Sequence, residues 1–372
     1  MNILVAPDSF KGAITAREVC ELAGTAIKEI YPDAVVTGIP VADGGEGTVD
    51  AFVYAARAEV IERTGTGPNG KPVKAFFGKA GKTAVIEMAA ASGLPLAEAG
   101  SSPFFTSTYG TGELILAALD EGCEEIMLGL GGSATNDAGI GCLTALGVRF
   151  FDKDGAEATP DCRGAGNTVK IDASGLDERL KDIKLTLLCD VTNPLCGENG
   201  ASFVFAPQKG ASAEELPTMD GYLRSFSRCV SEYTGKDISE EPGAGAAGGL
   251  GYGLKSFIDA ETRSGAETIL DKCGFEEKAG EADFIFTGEG RFDRQSFMGK
   301  VPGIILKRAM GKPVTVFCGI SLVDAQTVRD AGFSAIYETD PAHRPFTDEV
   351  RSEAKGALYE AFKRAARDLS YL

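Results

Sequence analysis

The chain has 372 residues, 44% of them hydrophobic, and carries a formal net charge of −17. At that length one core usually gives way to two, and the apolar fraction is enough to fill both. The acidic balance excludes a nucleic-acid surface, which needs a basic field, but leaves room for a small anion held by local Lys and Arg side chains. The 48 glycines follow no three-residue period and so mark tight loops, not a fibrous or low-complexity chain. Nine cysteines without a CxxC pair suit reduced, mostly buried thiols better than zinc or a disulfide framework. No leader sequence and no apolar run near the roughly 20 residues of a membrane helix is evident, so a soluble, cytoplasmic protein is expected.

Residues 3–6 read as a buried strand. Thr15 and Glu18 form a capping box for a helix with Val19, Leu22, Ala26 and Ile30 on one face, and 35–39 is the next strand. Short strands at 60–64, 73–77 and 84–88, separated by turns such as Gly67-Pro-Asn-Gly70, suggest a meander. Residues 125–129 are strand-like, precede a helix and fit either sheet, while 185–188 is a continuous apolar strand. The last ninety residues alternate strands at 283–286, 314–317 and 335–337 with helices at 302–310 and 323–331, the second capped by Ser321 or Asp324. A terminal helix follows with Ala354, Leu358, Phe362, Ala365 and Leu369 on one face. The expected architecture is α/β: a discontinuous, doubly wound, Rossmann-like parallel-sheet domain (1–60 plus 281–372) with an inserted mixed α/β domain (61–280).

The chemistry is concentrated in glycine-rich loops that follow these strands. Asp8-Ser9-Phe10-Lys11-Gly12 places a hydroxyl and a lysine before a helix N-terminus, where free N–H groups favour an anion. An ordinary turn with a solvated lysine is the plainer alternative. In Ala42-Asp43-Gly-Gly-Glu46-Gly-Thr48, three glycines make a nest-like loop. Acids beside phosphates repel them unless a cation intervenes, so Asp43 and Glu46 point to Mg²⁺ or to substrate hydroxyls. Gly129-Leu-Gly131-Gly132-Ser133-Ala134-Thr-Asn-Asp137 is the best phosphate loop, with the amides of 131–134 expected to face outward. No Walker A pattern exists, since Phe76 stands where Gly81-Lys82-Thr83 would need a glycine. Gly129, Gly131 and Ala134 also fit GxGxxA, with Asp152 about twenty residues on, so a dinucleotide site stays open.

Asp190 and Asn193 follow the 185–188 strand, where Asp190 can serve a metal or a hydroxyl. Lys209 sits in Pro207-Gln-Lys-Gly210. Gly288-Glu-Gly-Arg291-Phe-Asp293-Arg-Gln295 offers Arg291 as a carboxylate or phosphate grip and Asp293 as a base or metal ligand, and Lys300 adds a point charge for phosphates. The single histidine, His343, lies in a turn-rich segment. A histidine triad or a histidine metal site is therefore unsupported, and any general base is a carboxylate.

Together these strings resemble the bacterial type of the glycerate kinase family. The resemblance also rests on Ala6-Pro-Asp-Ser-Phe-Lys-Gly12, Thr106-Ser-Thr-Tyr-Gly-Thr-Gly-Glu113, Cys189-Asp-Val-Thr-Asn-Pro-Leu-Cys-Gly197 and Gly243-Ala-Gly-Ala-Ala-Gly-Gly-Leu-Gly251, and it spans the chain in order. Ala138 departs from it, standing where the family is expected to show glycine more often. The resemblance implies ATP-dependent phosphorylation of D-glycerate, usually at the 2-hydroxyl, in the interdomain cleft of a two-domain α/β fold. With it, MgATP is expected on the 131–134 amides and on Lys11 or Lys300. Asp43, Glu46 or Asp190 faces Mg²⁺, and Arg291 with Lys209, Asn193 and Ser9 binds glycerate. Asp190 or Asp293 acts as base, and Lys11 joins the catalytic groups. The alternatives are an NAD(P)-dependent oxidoreductase acting on a small hydroxy acid, or a non-catalytic sensor of a small acid. No nucleic-acid or membrane partner is expected, and the chain is read as a monomer or homodimer.

Overall fold

Short apolar strands that alternate with capped helices bury both faces of a sheet only when the strands run parallel with helices on each side. In a computed structural model that describes residues 1–10, 12–42 and 44–369, this pattern produces an α/β fold with parallel sheets. Contacts divide the chain into two units: Met1–Asp43, Asp50–Ala58 and Ala266–Leu372 form one, and Gly44–Val49 with Glu59–Gly265 form the other.

The first unit holds a five-stranded, wholly parallel sheet in the order Ala335–Glu338, Val314–Ser321, Phe284–Phe292, Asn2–Val5, Val35–Gly38. Asn2–Val5 and Phe284–Phe292 are neighbours, yet the chain continues from each toward opposite edges of the sheet. The helix Ala16–Ile30 opens with the expected box: Glu18 N donates to Thr15 Oγ1 at 3.2 Å and Thr15 N to Glu18 Oε2 at 2.9 Å. Its buried face is Val19, Ala23, Ala26 and Ile27, with Leu22 and Ile30 only partly covered at the rim. The terminal helix Asp348–Asp368 shares that core through Leu358 and Phe362. The rings of Phe317 and Phe362 lie 4.3 Å apart, and those of Phe286 and Phe317 5.1 Å apart. Asp324, not Ser321, caps Ala325–Asp330 by accepting from Thr327 N at 2.9 Å.

One strand outruns its expected end. Phe284–Phe292 continues six residues past 286, in register with Val314–Ser321 as far as Phe292 and Ser321, so the expected loop begins only at Asp293. Gly288 makes this possible, because a Cβ there would lie 2.4 Å from the Phe317 carbonyl oxygen. The helices Gly265–Lys272 and Phe275–Glu281 fall largely in this unit, ahead of the expected boundary at 281. Arg308 holds them, reaching Asp271 and Glu276 at 2.6 Å each.

The second unit holds a six-stranded sheet in the order Ala260–Arg263, Lys184–Leu188, Glu125–Gly129, Thr83–Glu87, Pro72–Ala80, Glu59–Thr66. The last three strands form the antiparallel meander and the first four run parallel. The ambiguous strand Glu125–Gly129 thus lies here, between Thr83–Glu87 and Lys184–Leu188. Its Ile126 and Leu128 enter a core with Phe77, Ile86, Leu187 and Leu250. A two-stranded ribbon, Arg149–Phe151 with Lys170–Asp172, packs with the helix Leu216–Thr234, where Phe150 and Phe226 approach to 5.5 Å. All nine cysteines are free thiols, seven of them buried. Among the described residues no helix is long and apolar enough to cross a membrane.

Phe317 is fully buried against three aromatic rings, those of Phe286, Tyr337 and Phe362. Phe317→Ala should cost about 3–5 kcal/mol, read as a lower denaturant midpoint; a midpoint equal to wild type would contradict this packing.

Candidate active site

Within the second unit, three loops meet main chain to main chain. Gly131 N donates to the Gly44 carbonyl at 3.0 Å, and Leu130 N to the Leu188 carbonyl at 3.2 Å. A Cβ on Gly129 would lie 2.4 Å from the Gly44 oxygen, one on Gly131 2.4 Å from Gly45 Cα, and one on Gly44 2.7 Å from the Leu188 oxygen. Real Cβ atoms do not approach so closely, so glycine here is demanded by contact between backbones. Glu87, at the end of Thr83–Glu87, supports the same junction. Its Oε1 accepts from Val49 N at 2.8 Å, and the Gly47 and Thr48 amides also favour its charge. Burial outweighs them and pushes its pKa up to about 7. The amides of 47–49 are therefore turned inward on an acid, and Glu46 stands exposed beside them.

The loop after Gly129 departs from expectation in two of its four amides. Gly131 N is spent on Gly44 and Ala134 N on the Ser92 carbonyl at 2.9 Å. Among the described residues, the Gly132 and Ser133 amides donate to nothing. Gly132 takes a φ of +73°, which turns the chain between the two committed amides. The loop does not open straight into a helix. Ala138 (φ +52°) and Gly139 (φ +77°) come first, and Ile140–Ala145 follows. The left-handed backbone at 138 is a conformation that glycine adopts without strain and alanine does not.

Beneath the loop lies a buried polar cluster. Lys209 ends the short 3₁₀ turn Pro207–Lys209, and its Nζ donates to Ser133 Oγ and to the Thr135 carbonyl, each at 2.7 Å. Desolvation pulls this ammonium down to about 7, against the opposing charge of Asp137. Asp137 is fully enclosed. It accepts from Thr108 N and Thr108 Oγ1 at 2.8 Å each, from Gly139 N at 3.0 Å and from Gly141 N at 3.3 Å. Burial nevertheless lifts it to about 6. Glu87 and Asp137 do not stand out as site residues in the sequence. Asp137 ends the glycine-rich motif 129–137, whereas Glu87 gives no signal beyond an acid closing an apolar strand.

Asp190 lies exposed on the loop after Lys184–Leu188. Asn193 builds that loop: its Nδ2 holds the Asn199 carbonyl at 2.8 Å and its own carbonyl accepts from Gly245 N at 2.9 Å. Its side-chain donor is thus committed to the fold.

The first unit carries a separate cluster at the end of its central strand. Arg291 is 63% exposed at the side chain, with Nε 3.8 Å from Asp293 Oδ2. Asp293 caps the turn Arg294–Phe297, accepting from Gln295 N at 2.9 Å while its own N–H donates to Ser296 Oγ. Lys300 Nζ stands 3.5 Å from both Asp293 Oδ1 and Glu289 Oε2, so it is shared between two acids and not presented as a lone charge. Ser9 follows Asn2–Val5; its amide donates to Asp8 Oδ1 at 2.6 Å, and Asp8 N donates to the Gly288 carbonyl at 2.8 Å. His343 takes a φ of +50° and pairs through Nε2 with Glu338 at 2.6 Å, in a surface turn. Lys11 and Asp43 lie outside the described residues.

One chemical reading is corrected by this geometry. A dinucleotide fingerprint requires the glycine loop to open a helix directly, and here the helix starts only at Ile140. Asp152 belongs with the separate ribbon and spends Oδ1 on the Asp154 and Ala156 amides at 2.9 Å, so it is not poised for a ribose. Among the described residues, no group of three or more His, Cys, Asp or Glu side chains is spaced to hold a metal.

Comparison with known proteins gives a consistent result. The model described as "Glycerate kinase family" matches residues 3–370. Glycerate kinase of Bacillus subtilis is 43% identical over 375 residues, covering 100% of this chain and 97% of that protein. Glycerate 2-kinase of Escherichia coli is 44% identical, again covering 100% and 97%. A crystal structure titled putative glycerate kinase 2 from Salmonella typhimurium superposes with a TM-score of 0.89 at 39% identity, over 100% of this chain and 98% of that one.

The buried lysine generates a pH test. Folding loosens the proton on Lys209, so unfolding takes one up between about pH 7 and the ordinary lysine range, and stability should rise with pH across that window. Below pH 7 the cost of the buried charge is fully present. Lys209→Met should flatten this rise in denaturant midpoints measured from pH 7 to about 10; an unchanged slope would contradict the assignment.

Proposed function

The chain belongs to the glycerate kinase family, and from that premise we propose that it transfers the γ-phosphoryl group of ATP to the 2-hydroxyl of D-glycerate. It is a phosphotransferase by family, and the family implies a nucleotide donor. The choice of the 2-hydroxyl follows the name of the Escherichia coli relative. One observation carries the reading on physical grounds. Two uncommitted amides, of Gly132 and Ser133, flank a hydroxyl that rests on a buried ammonium, and such a set suits the oxygens of a phosphate.

The roles follow unit by unit. In the second unit, Gly132, Ser133 and Lys209 serve the phosphates, with Gly131 and Ala134 shaping the loop through their own bonds. Lys209 acts on the loop through Ser133 and not as a carboxylate ligand. In the first unit, Arg291 is exposed and only distantly paired, so its guanidinium can grip the glycerate carboxylate by two hydrogen bonds. Ser9 lies at the end of the neighbouring strand and offers a hydroxyl. Mg²⁺, when bound with the nucleotide, would neutralise phosphate charge, and Glu46, Asp190 and Asp43 are the carboxylates available to meet it. A carboxylate takes the proton of the acceptor alcohol, while positioning and charge neutralisation supply most of the acceleration. In this reading the five-stranded unit is a doubly wound, Rossmann-like domain, and 59–265 is an insertion in its chain. Nine free thiols, seven of them buried, suit a reducing, cytoplasmic location.

Coupled ADP release with D-glycerate, followed by phosphorus NMR of the product, tests the activity. Glycerate-dependent ADP and a phosphate coupled to the C2 proton are expected, and no glycerate-dependent ADP would overturn the reading. Arg291→Ala should raise KM for glycerate about 10–100-fold with a smaller change in kcat; an unchanged KM would reassign the carboxylate grip.

A further inference from the structure

Among the described residues, three buried side-chain oxygens lack a hydrogen-bond partner: Thr135 Oγ1, Asn136 Oδ1 and Glu289 Oε1. Only the last belongs to a group that ionises. Glu289 is 6% exposed, and leaving a carboxylate oxygen unsatisfied at that depth costs stability. Its position is as informative as its burial. Glu289 lies on Phe284–Phe292 beyond the last residue paired with Asn2–Val5, where Thr287 Oγ1 donates to the Ala6 carbonyl and Asp8 N to the Gly288 carbonyl, each at 2.8 Å. At this point the chain runs from the two central strands toward opposite edges of the sheet. In open parallel sheets, ligands bind beyond the strand ends at such a reversal.

The rest of the side chain is held. Oε2 lies 3.5 Å from Lys300 Nζ, and the Ser296 hydroxyl also favours the charged carboxylate. Burial outweighs both, so the group keeps its proton above the ordinary carboxylate range. The titratable neighbours are Lys300 and Asp293 from the following turn and Cys318 from the adjoining strand; Asp8 follows the strand on the other side. The rival acids are differently placed. Asp293 spends Oδ1 on Gln295 N and Lys300 and has Arg291 beside Oδ2, while Asp190 sits on an exposed loop.

We propose that Glu289, in place of Asp190 or Asp293, is the general base of the phosphoryl transfer, with Oε1 as the accepting atom. This rests on the kinase reading above. The O–H bond of the acceptor hydroxyl breaks and its proton passes to Oε1. The oxygen's electron pair forms the new bond to the γ-phosphorus. The bond from that phosphorus to the bridging oxygen breaks, and its pair leaves on ADP. Lys300, beside Oε2, and Ser296 are positioning residues for this carboxyl group.

The test is steady-state kinetics of the full-length wild type, E289Q and E289D from pH 5 to 9, with thermal unfolding of each. E289Q should lose about 10²–10⁴-fold in kcat, keep KM for ATP, and lose the acid limb of the kcat/KM profile. Its Tm should match or exceed that of the wild type, because a buried unpaired oxygen of a charged group has been replaced by an amide. E289D should keep the acid limb at reduced kcat, and it carries the test should E289Q fail to fold. Wild-type kcat in either variant, or an acid limb that persists in folded E289Q, overturns the assignment. A wild type without glycerate-dependent ADP release overturns the kinase reading together with this one, whereas an active wild type beside an equally active E289Q sinks only the base.

Discussion

Backbone touches backbone where Gly131 donates to Gly44 at 3.0 Å, and the rest of the second unit's loop cluster depends on that contact. It closes only if neither partner carries a side chain, which is why Gly44, Gly129 and Gly131 are each hemmed in by main-chain atoms. A single methyl at any of the three would part the loops by more than a hydrogen bond can span. Once closed, the junction spends some amides and leaves others, and the unspent pair at Gly132 and Ser133 is a by-product of how the glycines pack.

Buried ionisable groups do the remaining shaping. Glu87 gathers the amides of 47–49, and Asp137 gathers those of Thr108, Gly139 and Gly141. In each case an acid replaces the water that would otherwise satisfy a turning backbone, and burial raises its affinity for a proton in return. Lys209 is the cationic counterpart, holding an oxygen and a hydroxyl instead of amides. Rigid loops are obtained at the expense of stability, a balance commonly found where a site must be preorganised.

Much of the scaffold was legible in the chain because its signals are local. The Thr15–Glu18 box, the meander ending in Thr83–Glu87 and the alternation of the last ninety residues each rest on neighbours within a few positions. The extension of Phe284–Phe292 was not legible, since Gly288 and Gly290 read as a loop until the Phe317 backbone is seen beside them. Ser133 and Lys209 both stand out as candidates in the sequence, but their bond, which joins positions 76 apart, does not. Asn193 and Asp293 stand out by their chemistry, and the fold spends much of that chemistry on its own turns. Glu289, an acid between two glycines, carries no mark of burial in the sequence. Only the neighbouring strand and the turn after it create that.

The bond from Lys209 to Ser133 also gives the loop a handedness of charge. An ammonium can only donate, so Ser133 Oγ must accept from it, and the serine's own hydrogen is forced to point elsewhere. Stripped of one proton, the amine gains a lone pair and can take that hydrogen back, turning the hydroxyl end for end. A single proton, buried out of reach of bulk solvent, thereby decides whether the loop shows its visitor a hydrogen or an oxygen.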